Sequence, residues 1–104
     1  MTAIARDGQR QIALAMTERD LQWDIVSLAT ALGWRCFHAH DARRSAAGFP
    51  DLCLARRGDV LFAELKTERG RLSNAQIAWS EELPNWFCWR PTDWLSGAVQ
   101  DALR

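Results

Sequence analysis

A tight turn in the middle of the chain constrains the fold more than any other feature. Two short apolar segments, residues 51–55 and 60–66, flank the triplet Arg57-Gly58-Asp59. Glycine beside a polar residue suits the left-handed backbone of a two-residue hairpin loop. We therefore expect the two segments to pair as an antiparallel β-hairpin, whose register depends on which residues form the loop.

The possible registers decide which side chains meet on one face of the hairpin. A two-residue loop that starts at Arg57 pairs Asp51 with Glu64. A loop that starts one residue later pairs Asp51 with Lys66. Because side chains alternate along a strand, both registers place the three charged groups on one face, with direct partners about 4.5–5.5 Å apart at Cβ. A three-residue loop would set Asp51 opposite Leu65 and separate them.

Two interpretations of this charged face are open from the hairpin alone. Two neighbouring carboxylates suit a hard divalent cation such as Mg²⁺, and Lys66 could then act on a metal-bound water or on charge developing at phosphorus. The same residues could instead form a cross-strand salt bridge at the end of a sheet. Lys66 is the only lysine among 13 basic residues, which favours a position that needs a compact ammonium group.

The composition is that of one ordinary globular domain. The 104 residues are 48% apolar and 25% charged, with 13 basic and 13 acidic side chains. No apolar run is long enough to cross a membrane, and residues 1–16 lack the apolar core of a secretory signal. Cys36, Cys53 and Cys88 are too widely spaced for a C-x-x-C metal site and are an odd number for disulfides. These features predict a cytoplasmic protein with reduced thiols.

The order of elements predicts an α/β fold with a mixed sheet. Residues 1–16 show no clear periodicity and are interpreted as an N-terminal extension to a domain of residues 17–104. The predicted elements are a helix capped by Thr17 and ended by Gly33, a strand over residues 34–38, the hairpin, a helix opened by the capping box Ser73-x-x-Gln76 and ended by Pro84, a strand over residues 86–90, and a final helix capped by Thr92.

An ordered set of motifs extends beyond the hairpin. Its members are Thr17-Glu18, Gly33-Trp34 before a strand ending at His38, Arg43-Arg44-Ser45, Gly48-Phe49-Pro50-Asp51-Leu52, Glu64-Leu65-Lys66-Thr67-Glu68-Arg69-Gly70-Arg71-Leu72-Ser73, Gln76 and Trp89-Arg90-Pro91. This set resembles the PD-(D/E)xK nuclease signature, and the chain is most similar to the VRR-NUC nucleases, from about Thr17 to Trp94. The resemblance implies a restriction-endonuclease-like αβββαβ core. One departure is the connection at residues 83–85, which is short for that family.

The resemblance also implies a set of site residues. They are Asp51 and Glu64 as metal-binding carboxylates, the main-chain carbonyl of Leu65 as a further ligand, Lys66 as the catalytic lysine, and Glu18 as an accessory acid that reaches the metal directly or through water. Gln76 would support Lys66 or a phosphate. Because Gln76 also completes a capping box with Ser73, a purely structural role is equally open.

Basic side chains around the motifs are candidate DNA contacts. Residues 34–72 carry 8 basic and 5 acidic side chains, a local excess that suits a phosphate backbone. The candidates are Arg43, Arg44, Ser45, Arg69 and Arg71, with His38 as a polar residue at the rim of the site. A solvated loop is the alternative for each arginine. His38 and His40 have the spacing of a transition-metal pair, but no third ligand motif lies near them.

The resemblance and the charged face together predict a stand-alone endonuclease that hydrolyses DNA with Mg²⁺ or Mn²⁺. Compact chains of this kind resemble phage proteins that act on branched DNA, so structure-directed cleavage is expected. Two alternatives are a non-catalytic nucleic-acid-binding module with a nuclease fold and a sequence-specific restriction-type enzyme.

A homodimer is expected because paired cuts on two strands of a junction need two sites. Trp86, Phe87, Trp89 and Trp94 lie close together near the C-terminus. Side-chain alternation predicts that at least one of them points away from the core and forms an apolar interface.

Overall fold

The structure, a computed structural model, describes residues 3–38 and 46–104. In these residues the elements are α1 (Ala3–Ala15), α2 (Glu18–Ala31), β1 (Arg35–His38), β2 (Leu52–Arg56), β3 (Asp59–Leu65), α3 (Asn74–Glu82), β4 (Trp86–Trp89), α4 (Pro91–Leu95) and α5 (Ala98–Leu103). The strands form one sheet in the order β1-β2-β3-β4. β1, β2 and β3 pair antiparallel, whereas β4 runs parallel to β3 after the α3 crossover. The predicted α/β class with a mixed sheet is confirmed, and it is compatible with a restriction-endonuclease-like core.

The hairpin adopts the first of the two predicted registers. Leu52 is opposite Ala63 and Arg56 is opposite Asp59, so the loop consists of Arg57 and Gly58. Both loop residues have a positive φ, 51° and 87°, as a type I′ turn requires. One residue beyond the pair of Leu52 and Ala63, this register sets Asp51 beside Glu64.

The two faces of the sheet are covered by different helices. One face carries buried apolar side chains, among them Leu52, Leu65 and Trp89, and packs against a cluster that includes Leu21 of α2 and Leu103 of α5. The other face carries Phe62 and Glu64 and lies beneath α3. Phe49 packs edge-on against Phe62 at 6.0 Å and against Trp79 of α3 at 5.0 Å between ring centroids. The charged face of the hairpin is therefore enclosed by α3.

Two helical segments differ from the sequence-based expectation. Residues 3–15 form an amphipathic helix, so the interpretation of residues 1–16 as an extension without clear periodicity is wrong for this segment. Ala13 is its buried contact, at 3% exposure. Thr92 does not cap the last helix: the Arg90 amide donates to the Asp93 carboxylate (2.8 Å), and Pro91 occupies the first helical turn. The C-terminal segment is also divided into α4 and α5.

Three of the C-terminal aromatic residues lie on the core side of the sheet, whereas Trp86 is half-buried on the other face beside Phe62, away from the core as side-chain alternation predicts. Trp89 is 3% exposed, and Phe87 and Trp94 pack against the core. Phe87 and Trp89 share a face, with their ring centroids 5.2 Å apart. Short α4 and α5 cover this side of the sheet. The large exposed apolar side chains of the described residues include Trp23 and Phe37 instead.

Two simpler expectations concern membranes and thiols. In the described part of the chain, no helix has the length and apolar character needed to cross a bilayer. Cys36, Cys53 and Cys88 are all free thiols, as expected.

Gly48 brings the chain that enters β2 against α3. Its φ is +82°, and a Cβ at this position would lie 2.4 Å from the main-chain carbon of Ala75. Gly48→Ala should lower the free energy of unfolding by about 3 kcal/mol or more, because left-handed strain adds to a clash with helix backbone. Gly58→Ala is the matched control: its φ is +87°, but it has no neighbour within 4 Å. That variant should lose about 1–2 kcal/mol. Equal losses in the free energy of unfolding of the two variants, measured by urea unfolding, would contradict the close approach of Gly48 to the backbone of α3.

Candidate metal and catalytic site

Asp51 is held against the end of β3 by a main-chain hydrogen bond. The Leu65 amide donates to Asp51 Oδ2 over 2.8 Å. Leu65 lies between Glu64 and Lys66 in sequence, so this bond places the Asp51 carboxylate where β3 presents both charged side chains. The structure thus brings together the three residues that the hairpin pattern selects.

Glu64 is the buried carboxylate of the site. Its residue exposure is 3%, and Gln76 Nε2 donates to its Oε1 over 2.9 Å. Its Oε2 atom is also buried and has no hydrogen-bond partner in the described part of the chain. Burying an ionised oxygen without a partner is costly, so this atom is suited to a cation or a proton.

Gln76 completes the predicted capping box and makes a contact that the sequence does not predict. Its Oε1 accepts from the Ser73 amide at 2.8 Å, and its own amide donates to Ser73 Oγ at 3.1 Å, which forms the capping box. The side-chain NH₂ of Gln76 donates to Glu64. Gln76 therefore contacts one of the two predicted metal-binding carboxylates directly.

The site is electrostatically strained in favour of a neutral Glu64. The pKa of Glu64 is raised to about 8, chiefly by burial and next by the negative charge of the nearby Asp51 carboxylate. The Lys66 ammonium lowers this pKa, and the Glu18 carboxylate raises it. Asp51, Lys66 and Glu18 therefore all act on Glu64 through the electrostatic field, as the predicted assignment of these residues to one site requires.

Lys66 lies directly after β3 at the start of a clamped loop. Its main-chain amide donates to the Trp89 carbonyl over 3.1 Å. Arg90 Nη1 then donates to the carbonyls of Thr67 and Gly70, both at 2.7 Å. Arg90 thus ties the loop that follows Lys66 to β4. The sequence places Arg90 in a motif but does not indicate its role, because its contact with residues 67–70 requires β4 to lie beside β3.

The other predicted site residues lie on several different elements. Glu18 is the first residue of α2 and is exposed, and His38 ends β1 opposite Leu52. Arg69 and Arg71 are exposed in the loop after Lys66. Arg43, Arg44 and Ser45 are outside the described residues, as is His40.

The groups predicted to hold a metal all offer oxygens. They are the carboxylates of Asp51 and Glu64 and, as the family resemblance implies, the main-chain carbonyl of Leu65. Among residues 3–38 and 46–104, no group of three His, Cys, Asp or Glu side chains is arranged to hold a metal ion. Glu18 thus acts on Glu64 by charge without joining such a group. Hard divalent cations accept a few carboxylates completed by water, so the pair fits that class of ion.

A mixed sheet that presents two carboxylates and a lysine at the end of a hairpin is the arrangement found in restriction-endonuclease-like nucleases. Residues 6–86 match the model of the VRR-NUC domain. The chain belongs to the VRR-NUC family, whose domain implies a nuclease-type function. Neither a curated protein nor a solved structure gave a match to the chain.

The raised pKa of Glu64 predicts the pH dependence of stability in metal-free solution. A carboxyl group whose pKa rises from 4.5 to about 8 on folding binds a proton more tightly in the folded state. Its stabilising contribution is present below pH 4.5 and is lost as the pH rises through about 8. Between these limits the free energy of unfolding should fall by on the order of 3 kcal/mol.

The Glu64→Gln variant should remove most of this slope, because glutamine can still accept from Gln76 but does not ionise. Glu82→Gln, at an exposed position at the end of α3, is the control and should keep the wild-type slope. Urea unfolding in the presence of a chelator at several pH values measures the difference. The same pH dependence of the free energy of unfolding in Glu64→Gln and in the wild type would contradict the raised pKa of Glu64.

Proposed function

We propose that this protein is a metal-dependent endonuclease that hydrolyses the phosphodiester bonds of DNA. The observation that carries the proposal is the pairing of Asp51 with the buried Glu64, with Lys66 directly after the same strand. A structural salt bridge would leave no reason to place a second carboxylate beside a buried one, since like charges raise the cost of burial. A divalent cation offsets that cost.

Asp51 and Glu64 would hold Mg²⁺ or Mn²⁺, with the Leu65 carbonyl as a third donor and Glu18 acting through water. The unpartnered Glu64 Oε2 supports this fit, because it is a buried acceptor with nothing to accept from. When bound, the cation supplies Lewis acidity and a water of lowered pKa. Gln76 fixes the rotamer of Glu64 through its other oxygen and so leaves Oε2 available.

Lys66 would act at the phosphate rather than on the metal. Lys66 is the first residue after β3, and Arg90 holds the loop that follows Lys66 by donating to two of its main-chain carbonyls. There the Lys66 ammonium can donate to the attacking water or to a phosphate oxygen as negative charge develops. By holding this loop, Arg90 would keep Lys66 in position. A donor that is already in position costs no reorganisation during the reaction, so the Arg90 contacts would assist catalysis. Arg69 and Arg71, together with Arg43, Arg44, Ser45 and His38, would contact the DNA around this point.

The preferred substrate in this proposal is branched DNA. This part rests on the likeness of the chain to compact phage nucleases. A non-catalytic binding module and a sequence-specific restriction-type enzyme are the alternatives, and cleavage assays separate all three. Cleavage of a four-way junction in preference to linear DNA supports the proposal. Discrete fragments from linear DNA would favour a restriction-type enzyme, and binding without cleavage would favour the module.

Two substitutions should separate metal binding from catalysis. Asp51→Asn should lose both Mn²⁺ binding, measured by calorimetric titration, and cleavage. Lys66→Ala should retain binding of Mn²⁺ and DNA but lose cleavage by a factor of about 10² or more, since its charge acts in the transition state. Lys66→Arg should recover little activity, because a planar guanidinium group cannot replace a compact ammonium.

The exposed Glu82→Gln variant controls for loss of negative charge in this experiment. Unchanged Mn²⁺ affinity in Asp51→Asn would show that the carboxylate pair is structural. Full activity in Lys66→Arg would show that any cation suffices at this position.

A homodimer would supply the two sites that paired strand cuts need. Each chain presents one such cluster in its described residues, and the apolar surface available for pairing is that of Trp23, 76% exposed, and Phe37, 65% exposed. Light scattering should therefore give twice the chain mass of 11.8 kDa at micromolar concentration. Trp23→Ser should shift the protein to the single-chain mass, whereas Ile77→Ser, 41% exposed on α3, should not. A wild-type mass near one chain would contradict the dimer.

A further inference from the structure

A cavity of about 470 Å³ opens beside the loop that follows Lys66. Its walls are α1, α4 and residues 68–69. Arg6 and Arg10 project into it from α1, where a spacing of four residues places them one above the other. Arg69 lines the opposite wall. Three guanidinium groups therefore surround one concavity, which we name the arginine pocket.

The positive charge of the arginine pocket exceeds the negative charge that lines it. One carboxylate, that of Glu68, lines the pocket beside the three arginines, and it is hydrogen-bonded at the start of α4. Its Oε2 accepts from the Thr92 amide at 3.1 Å, and its Oε1 accepts from the Thr92 hydroxyl. Within the described part of the chain, Arg6, Arg10 and Arg69 form no ion pair. Like charges gathered in a concave surface concentrate an attractive field for anions.

Both walls of the arginine pocket are close in sequence to residues of the candidate site. Arg69 follows Lys66 by three residues, so their Cα atoms are at most about 11 Å apart. On the other side, α1 ends at Ala15, close in sequence to Glu18. A DNA strand advances about 3.4 Å along the helix axis per nucleotide. A strand cleaved at Lys66 would therefore bring a phosphate to the arginine pocket within about three nucleotides of the cleaved bond.

We propose that the arginine pocket binds a backbone phosphate of the DNA substrate and that α1 is a substrate-positioning element. The inference rests on the proposed function and extends it to α1, most of which lies within the matched residues 6–86. Guanidinium groups suit the role because their planar donor fork matches phosphate oxygens. A contact of this kind fixes the register of the strand and carries no sequence preference.

The salt dependence of DNA binding tests this assignment. Binding of a labelled four-way junction is followed by anisotropy between about 50 and 200 mM salt in the Lys66→Ala background, which prevents cleavage. Adding Arg6→Ala and Arg10→Ala should weaken binding equally for unrelated sequences and reduce the slope of log K against log salt by about 1. The doubly substituted Arg6→Lys, Arg10→Lys protein keeps the charge and should recover part of the affinity, which separates binding from loss of helix α1.

The matched control is Arg35→Ala with Arg57→Ala, which removes the same charge at the opposite end of the β2–β3 hairpin. That control should leave the slope unchanged. Equal weakening by the two double variants would overturn the pocket assignment and leave DNA binding intact. A parent protein that binds no DNA would overturn the proposed function itself. Saturable binding of inorganic phosphate that the Arg6 and Arg10 variants lose, with DNA affinity unchanged, would assign the pocket to a free phosphate compound instead.

Discussion

The hydrogen bond from Gln76 to Glu64 is the interaction on which the candidate site depends. It holds one oxygen of a buried carboxylate at 2.9 Å and leaves the other oxygen buried and unpartnered. A core position that carries a carboxylate is unfavourable unless a proton or a cation occupies it. In the metal-free fold a proton on Glu64 reduces this cost, which is why the pKa of Glu64 is raised, and a bound cation would remove it. The burial of Glu64 therefore lowers the stability of the ionised, metal-free protein and favours the binding of a metal.

The parts of this fold that the sequence predicts are those fixed by neighbouring residues. The Arg57-Gly58 loop determines the hairpin register, and Thr17 and Ser73 form the capping boxes of α2 and α3. Each depends on a few consecutive residues, so a pattern is sufficient to find it. The pairing of Asp51 with Glu64 follows from the register alone, which is why the centre of the site is predictable while its function requires the resemblance.

The contacts that the sequence does not reveal are made between elements distant in the chain. The NH₂ group of Gln76 reaches Glu64 because α3 docks on the sheet, and Arg90 clamps residues 67–70 because β4 lies parallel to β3. The C-terminal aromatic residues divide between the two faces of the sheet: Trp86 lies beside Phe62, away from the core as alternation predicts, whereas α4 and α5 cover Phe87 and Trp89. α1 is amphipathic, so its helical pattern is present in the sequence although residues 1–16 are interpreted there as an extension.

The packing of α3 explains the Gly-Phe-Pro-Asp run one residue at a time. Gly48 permits the chain to approach the backbone of Ala75, and Phe49 then packs against Trp79 and Phe62. Pro50 is buried at the entrance to β2, and the next residue is Asp51. The helix that aligns Asp51 by this route also carries Gln76, the partner of Glu64. The same helix therefore contacts both the run that leads to Asp51 and the carboxylate of Glu64, while the hairpin register and the Leu65 amide set the two carboxylates side by side.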